Sequence, residues 1–350
     1  MKPEDLVRPE ILALKAYHVP AADGMVKLDA MENPYPLPEP LRRELASVLA
    51  RVDINRYPTP TPQKLLDALA QRMAVPPGMR LLLGNGSDEL IQMAITALAR
   101  PGAAAMYPSP TFVMYAMSAA FSGMRAIPVA LREDFSFDAD AFIARMKAEK
   151  PALVFIAYPN NPTGVLYPEE DVVRVIKAAE GLVMIDEAYH VFAGKTFMPR
   201  LVEFPNLVVL RTVSKLGLAG IRLGYLAGRP EWIDQFDKVR PPYNVSGLTQ
   251  AAALFMLEKL DVLEAQAARI RADRTGLGTA LAAMKDVTVF PSEANFLLVR
   301  VPDAERTFQS LKEQNVLVKN LHPGLRNCLR ITVGTPDENR ILLTALREAL

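Results

Sequence analysis

From about residue 60 to residue 230, short apolar runs alternate with segments of helical periodicity. "RLLLG" (80–84) precedes "SDELIQMAITALAR", in which Leu90, Ile91, Ala94, Ile95 and Leu98 fall on one helical face. "AAAMY" (103–107) leads to a helix pattern near 111–122, and "ALVFIAY" (152–158) to another over roughly 168–180. "LVMID" (182–186), "LVVLRT" (207–212) and "LGYLAG" (223–228) complete the series. Strands that are apolar on both faces predict a mostly parallel sheet flanked by helices. In such sheets ligands sit beyond the carboxyl ends of the strands.

"RPPYN" (240–244) breaks the alternation. One long helix is expected over about 246–272, followed by strands in "VTVF", "NFLLVR", "VLVK" and "LRITVG". Helical stretches lie between 303 and 314 and after 336. The pattern predicts a large α/β domain over 51–245. A smaller α+β domain takes 246–350 together with residues 1–50, whose proline-rich stretch (34–40) packs against it.

Half of the 350 residues are apolar, 23% are charged and the net charge is +1. This is a globular composition with no basic stripe, which argues against a nucleic-acid partner. The N-terminus, "MKPEDLVRPEIL", has acids where a signal peptide would carry an apolar core. The longest uncharged run, Pro101 to Met124, is interrupted by Gly102, Pro108 and Pro110, so it reads as loop plus helix rather than a membrane span. Cys328 is the only cysteine, which excludes an intrachain disulfide and fits a reducing cytoplasm. His18, His190 and His322 are far apart in sequence, and no metal site is expected.

Chemistry-bearing residues cluster after the strand patterns. In "SKLGLAGIRLGY" (214–225), Lys215 precedes small and apolar residues, and Arg222 supplies a second cation. A desolvated lysine near another cation loses its proton more readily and becomes a nucleophile; the plain alternative is a surface lysine. Asp186 ends an apolar strand, where an acid needs a partner such as a protonated ring nitrogen, or caps the next helix. "GKT" (194–196) is not a P-loop, because Tyr189 stands where the motif requires glycine. In "GNGSDEL" (84–90), the N–H groups of Gly86, Ser87 and Asp88 open a helix and form an anion site, or Ser87 simply caps a turn. "YPNNPTG" (158–164) is a rigid turn that presents the amide of Asn161, or uses its asparagines only for the turn. A lysine, an acid, an amide, an arginine and a helix N-terminus at successive strand ends match the needs of pyridoxal 5′-phosphate.

These motifs resemble the fold-type I pyridoxal-phosphate-dependent aminotransferases and, more closely, the histidinol-phosphate aminotransferase family. The resemblance runs through "ENPYPLP" (32–38), "NRYPTP" (55–60), "GNGSDE", "PSPTF" (108–112), "YPNNPTG", "DEAY", "TVSKLGLAGIRLGY", "PYNV" (242–245), "EANFLLVR" (293–300) and "CLRITVGT" (328–335). It implies that Lys215 carries the cofactor covalently and then moves the substrate proton. Asp186 would pair with the ring nitrogen, and Asn161 and Tyr189 would bond the ring hydroxyl. Gly86, Ser87, Asp88, Thr212, Ser214 and Arg222 would hold the phosphate, with Phe112 stacked on the ring. Tyr57 would reach in from the other subunit of a homodimer. Arg330 would take the anionic end of the substrate, helped by Tyr17 and Asn33. Lys319 stands where the family often has a second arginine, and Arg326 follows a few residues later.

The implied reaction moves an amino group between L-histidinol phosphate and 2-oxoglutarate in histidine biosynthesis, the other pair being imidazole acetol phosphate and glutamate. Aromatic amino-acid aminotransferases and threonine-phosphate decarboxylases share much of the motif set. A cofactor-binding regulator without turnover would need a DNA-binding module, for which the chain before the first strand–helix motif is too short.

Overall fold

The computed structural model describes residues 1–14, 16 and 20–350. Among them, twelve strands form two sheets. A short strand, β1 (Val26–Leu28), comes first. The large sheet follows with β2 (Arg80–Asn85), β3 (Ala104–Ser109), β4 (Arg125–Ala130), β5 (Leu153–Ala157), β6 (Leu182–Asp186), β7 (Leu207–Thr212) and β8 (Leu223–Gly228). The small sheet uses β9 (Thr288–Val289), β10 (Phe296–Arg300), β11 (Val316–Asn320) and β12 (Cys328–Thr332).

The large sheet has the order β2-β8-β7-β6-β5-β3-β4. Its central strands β5, β6 and β7 are buried at every position, as continuous apolar runs require when helices cover both faces. β8 runs antiparallel to both its neighbours, β2 and β7, while the remaining pairs are parallel. The start of β8 therefore lies at the same edge as the ends of β2, β5, β6 and β7. Arg222, which precedes a strand, reaches the edge where the other motifs follow one.

Two elements depart from the sequence reading. The edge strand β4 reads "RAIPVA", and its mostly non-buried pattern with Pro128 gives no apolar run. The uncharged run Pro101–Met124 folds as the strand expected at 103–107, here β3, followed by a helix over Met114–Phe121. The helix expected over 246–272 is two, Gly247–Glu258 and Leu260–Ala282, because Lys259 (φ −114°, ψ 27°) leaves helical geometry. No glycine or proline marks the break. It redirects the chain so that Leu260 and Leu263 still pack with the large sheet, while Ile270, Leu277 and Leu281 join the small-sheet core.

The small sheet has the order β1-β11-β12-β10-β9, with β1 parallel to β11 and the other pairs antiparallel. The N-terminal segment thus supplies one edge of the C-terminal sheet. The proline-rich stretch packs against the long helix: Tyr35 donates to Asp273 (2.6 Å) and Gln266 donates to the Pro36 carbonyl (3.0 Å).

Successive residues at the ends of β6 and β7 serve opposite sides of the sheet. Asp186 and Thr212 line one cavity, whereas Arg211 lines a different cleft. There Arg211 Nε donates to Glu187 at 2.9 Å, with the two side chains 4% and 0% exposed. Thr196 and the Phe197 N–H also bind Glu187, so its buried charge is fully solvated by protein donors.

Replacing Arg211 with Leu leaves Glu187 charged and unpaired in the interior. Urea unfolding of the cofactor-free protein is expected to show a loss of about 3–5 kcal/mol. The double variant Arg211→Leu/Glu187→Gln recovers part of it; equal loss in both variants would show that the arginine acts by packing instead.

Candidate active site

The helix Ser87–Leu98 begins against β8. Gly86 has φ +83°, a left-handed value that favours glycine. Register places Gly224 opposite both Gly84 and Thr212. A Cβ at Gly224 would lie 2.7 Å from the Gly86 carbonyl carbon and from the Ser87 nitrogen, so the loop sits directly on the strand. A Cβ at Gly86 would lie 2.6 Å from Nη2 of Arg222. The guanidinium therefore reaches the start of the helix, although Arg222 follows Lys215 by only seven positions. Ser87 makes no capping bond, since Gly86 holds the cap position and no side chain caps the helix. Glu89 instead accepts from the Asn85 N–H (2.6 Å) and from Asn244 (2.7 Å), tying the loop to "PYNV".

A cavity opens beside this loop, lined in part by Ser87, Asp88, Phe112, Asn161, Asp186, Tyr189, Thr212, Ser214, Lys215 and Arg222. Ten of the expected site residues thus meet in one place. Arg330 and Lys319 lie beyond that lining and are cross-strand partners in the β11–β12 register. Asn33 is spent elsewhere: its amide donates to Gln266 (2.8 Å) and the Leu216 carbonyl (3.3 Å). A Cβ at Gly217 would come within 2.8 Å of that amide, so Asn33 braces the lysine turn rather than the cavity. Arg326 is exposed. Tyr57 is 81% exposed and stacks on Tyr243 at 4.6 Å, away from the cavity of its own chain. Tyr17 and His18 lie outside the described residues.

Asp186 is 5% exposed at the end of β6. Its Oδ1 accepts the Ala188 N–H at 3.0 Å and its Oδ2 accepts the Tyr115 hydroxyl at 2.7 Å. The capping alternative is thereby set aside, because the helix His190–Ala193 starts only after Tyr189. Burial pushes the carboxyl up to about 6 against the pull of those two donors. No ion pair reaches it among the described residues. Tyr115 was not visible as a site residue in the sequence, where it reads as one more apolar position on a helix.

Lys215 sits in a wide turn over Ser214–Leu218, held open by Gly217 at φ +129°. Its Nζ donates to the Ala30 carbonyl at 3.0 Å and lies 6.0 Å from the Tyr189 ring centre. Burial first, and then the charge of Arg330, bring the ammonium down to about 8. Arg222, the cation expected from the sequence, also lowers it, by less than Arg330 does. Arg330 itself donates to Asn161 Oδ1 (2.6 Å) and to the Asp29 carbonyl (2.7 Å), with its guanidinium 5.5 Å from the Phe296 ring centre.

The segment after β1 joins these groups. The carbonyls of Asp29, Ala30 and Met31 accept from Arg330, Lys215 and Asn295 in turn. Met31 takes φ +53°, and its N–H donates to Thr332 at 3.0 Å. This strap was not legible in the sequence, because backbone acceptors carry no side-chain signature.

The donor set fits pyridoxal 5′-phosphate. Asp186 is a buried carboxylate without a counter-cation, as a protonated ring nitrogen requires. Asn161 spends its oxygen on Arg330 and leaves its NH2 for a phenolic oxygen. The helix start, the hydroxyls of Thr212 and Ser214 (2.8 Å apart) and Arg222 form an anion cup. No three His, Cys, Asp or Glu side chains converge as metal ligands among the described residues, and no described helix is long and apolar enough to cross a membrane.

Comparison with known proteins agrees with this geometry. The family model "Aminotransferase class I and II" matches residues 23–346, and the chain belongs to that family. Within it, the chain is 57% identical to "Histidinol-phosphate aminotransferase 2" of Burkholderia pseudomallei, over 99% of both chains. It is 55% identical to "Histidinol-phosphate aminotransferase" of Chromobacterium violaceum, over 98% of both. The solved histidinol-phosphate aminotransferase of Sinorhizobium meliloti, in complex with pyridoxal-5′-phosphate, superposes with a TM-score of 0.87 at 25% identity, covering 98% of this chain and 97% of that one.

A lysine brought to about 8 is roughly half neutral at that pH, whereas about three in a thousand ordinary lysine side chains are. Competitive acetylation of the cofactor-free protein, read by peptide mass spectrometry, should give Lys215 a rate that rises through a midpoint near 8. A midpoint shared with the bulk lysines would refute the shift.

Proposed function

We propose that the protein transfers an amino group between L-histidinol phosphate and 2-oxoglutarate by a ping-pong sequence in one site, as a cytoplasmic homodimer. The carrying observation is the pairing of a buried, counter-ion-free carboxylate with a lysine of lowered pKa in one cavity beside a helix N-terminus. The names of the relatives supply the substrate.

When bound, pyridoxal 5′-phosphate supplies an aldehyde that takes up the amino group and a ring that accepts the electron pair left on the substrate carbon. Lys215 would hold the cofactor through its Nζ and would serve as the base that takes and returns the substrate's proton. Its depressed pKa leaves it able to act as a base near neutrality. Asp186 keeps a proton on the ring nitrogen. Asn161 and Tyr189 bind the phenolic oxygen, and Phe112 forms a wall against the ring. The N–H groups of Gly86, Ser87 and Asp88, the hydroxyls of Thr212 and Ser214, and Arg222 hold the phosphate.

Arg330 and Lys319 are the anion ligands for the substrate. Arg330 offers a fork that suits either a phosphate or a carboxylate, and Lys319 adds charge without a fork. Tyr57 is assigned to the partner's cofactor: it is a large exposed aromatic outside its own cavity. Tyr17 is assigned to the substrate alongside Arg330, and Asn33 acts by bracing the lysine turn.

The test is a half-reaction screen. The loaded enzyme is mixed with histidinol phosphate, an aromatic amino acid or threonine phosphate, and the cofactor's absorbance is followed. Histidinol phosphate should convert it to the amine form fastest; an aromatic amino acid doing so, or carbon dioxide released from threonine phosphate, would reassign the substrate. Lys215→Ala should abolish the borohydride-reducible bond. Arg330→Ala should raise KM for histidinol phosphate at least tenfold, about the worth of one charge-assisted pair, while leaving that for an uncharged amine nearly unchanged.

A further inference from the structure

We propose that Tyr115 is a positioning residue for the reaction: its hydroxyl holds one oxygen of Asp186 so that the carboxylate stays ionised and aimed at the cofactor's ring nitrogen. The inference deepens the functional reading above and rests on it.

The phenol is fixed on three sides. Its ring lies flat on Phe155, with centres 4.4 Å apart and planes 5° apart. Phe112 meets it edge-on at 5.7 Å and Tyr107 is tilted against it at 6.1 Å. Tyr115 is fully buried, and its hydroxyl has one acceptor, Asp186 Oδ2 at 2.7 Å. Burial and the neighbouring carboxylate drive the phenol's ionisation well above its ordinary range, so it remains a donor throughout the working pH range.

Asp186 needs such a donor. Burial favours its neutral form, and so do the charges of two nearby acids: Asp88 from the helix Ser87–Leu98, and Glu187, its chain neighbour on the opposite side of the sheet, whose own carboxylate is engaged by Arg211. The Tyr115 hydroxyl and the Ala188 N–H are the groups that favour the carboxylate. They come from separate elements and take one oxygen each, which fixes the carboxyl plane and leaves a lone pair on each oxygen for the ring N–H. Without the hydroxyl, Asp186 becomes the stronger base, and the proton shared with the ring nitrogen moves toward the carboxylate. The ring then accepts electrons less readily.

Tyr115→Phe keeps the stack and removes the donor. The enzyme is loaded with cofactor labelled with nitrogen-15 in the ring, and its chemical shift is measured beside steady-state kinetics. The expected result is a shift toward that of neutral pyridine, a fall in kcat of about tenfold and a KM for the amino donor changed by less than about twofold. Phe155→Leu serves as the packing control: it should lower the melting temperature and leave the nitrogen-15 shift in place. An unmoved shift in Tyr115→Phe overturns the inference, as does an equal displacement in Phe155→Leu, which would assign the effect to packing. Failure of the unsubstituted protein to take up cofactor would instead sink the functional reading itself.

Discussion

Asp186 sits at the end of a fully buried strand, where a carboxylate is costly unless something favours its charge. Two neutral donors offset part of that cost, and no cation of the described chain supplies the rest. A site of this kind is complementary to a cation brought by a ligand. The geometry around it follows. The lysine turn, the anion cup and the Asn161 amide line the same cavity as Asp186. The fold's main task is to hold five short strand ends still enough for that.

The reversed strand β8 is what closes the arrangement. It brings the residues before it to the edge where the parallel strands end, so Arg222 and Thr212 face the same cup. The row Gly84, Gly224 and Thr212 across β2, β8 and β7 lets the loop at Gly86 lie on the strand with no side chain between them. Alternation along β6 and β7 then separates two kinds of charge. Asp186 serves the ligand side, while Glu187 and Arg211 neutralise one another on the other side.

Much of this was legible in the sequence, for a physical reason. β6, β7 and β8 match their apolar runs residue for residue because both faces are buried and nothing polar interrupts them. Glycines at close approaches and acids at strand ends are rare enough to stand out. What stayed hidden had no side-chain signal or had the wrong one. The edge strand β4 carries arginine and proline, and the break at Lys259 lacks any breaker residue. The strap from Asp29 to Met31 acts through its carbonyls. Tyr115 satisfied the apolar pattern of its helix, and only its tip touches the site. The priority among cations was also hidden, since Arg330 is far from Lys215 in sequence and close in space.

The antiparallel course of β8 makes β7 and β8 a hairpin, and its connection carries both Lys215 and Arg222. On the functional reading proposed above, one chain segment therefore sets the separation between the residue that would hold the aldehyde end of the coenzyme and the residue that would hold its phosphate. The connection works as a ruler whose length must match a small molecule. Any insertion or deletion in it has to be absorbed locally, at Gly217 and Gly220, because the strands on either side are locked in register and cannot slide.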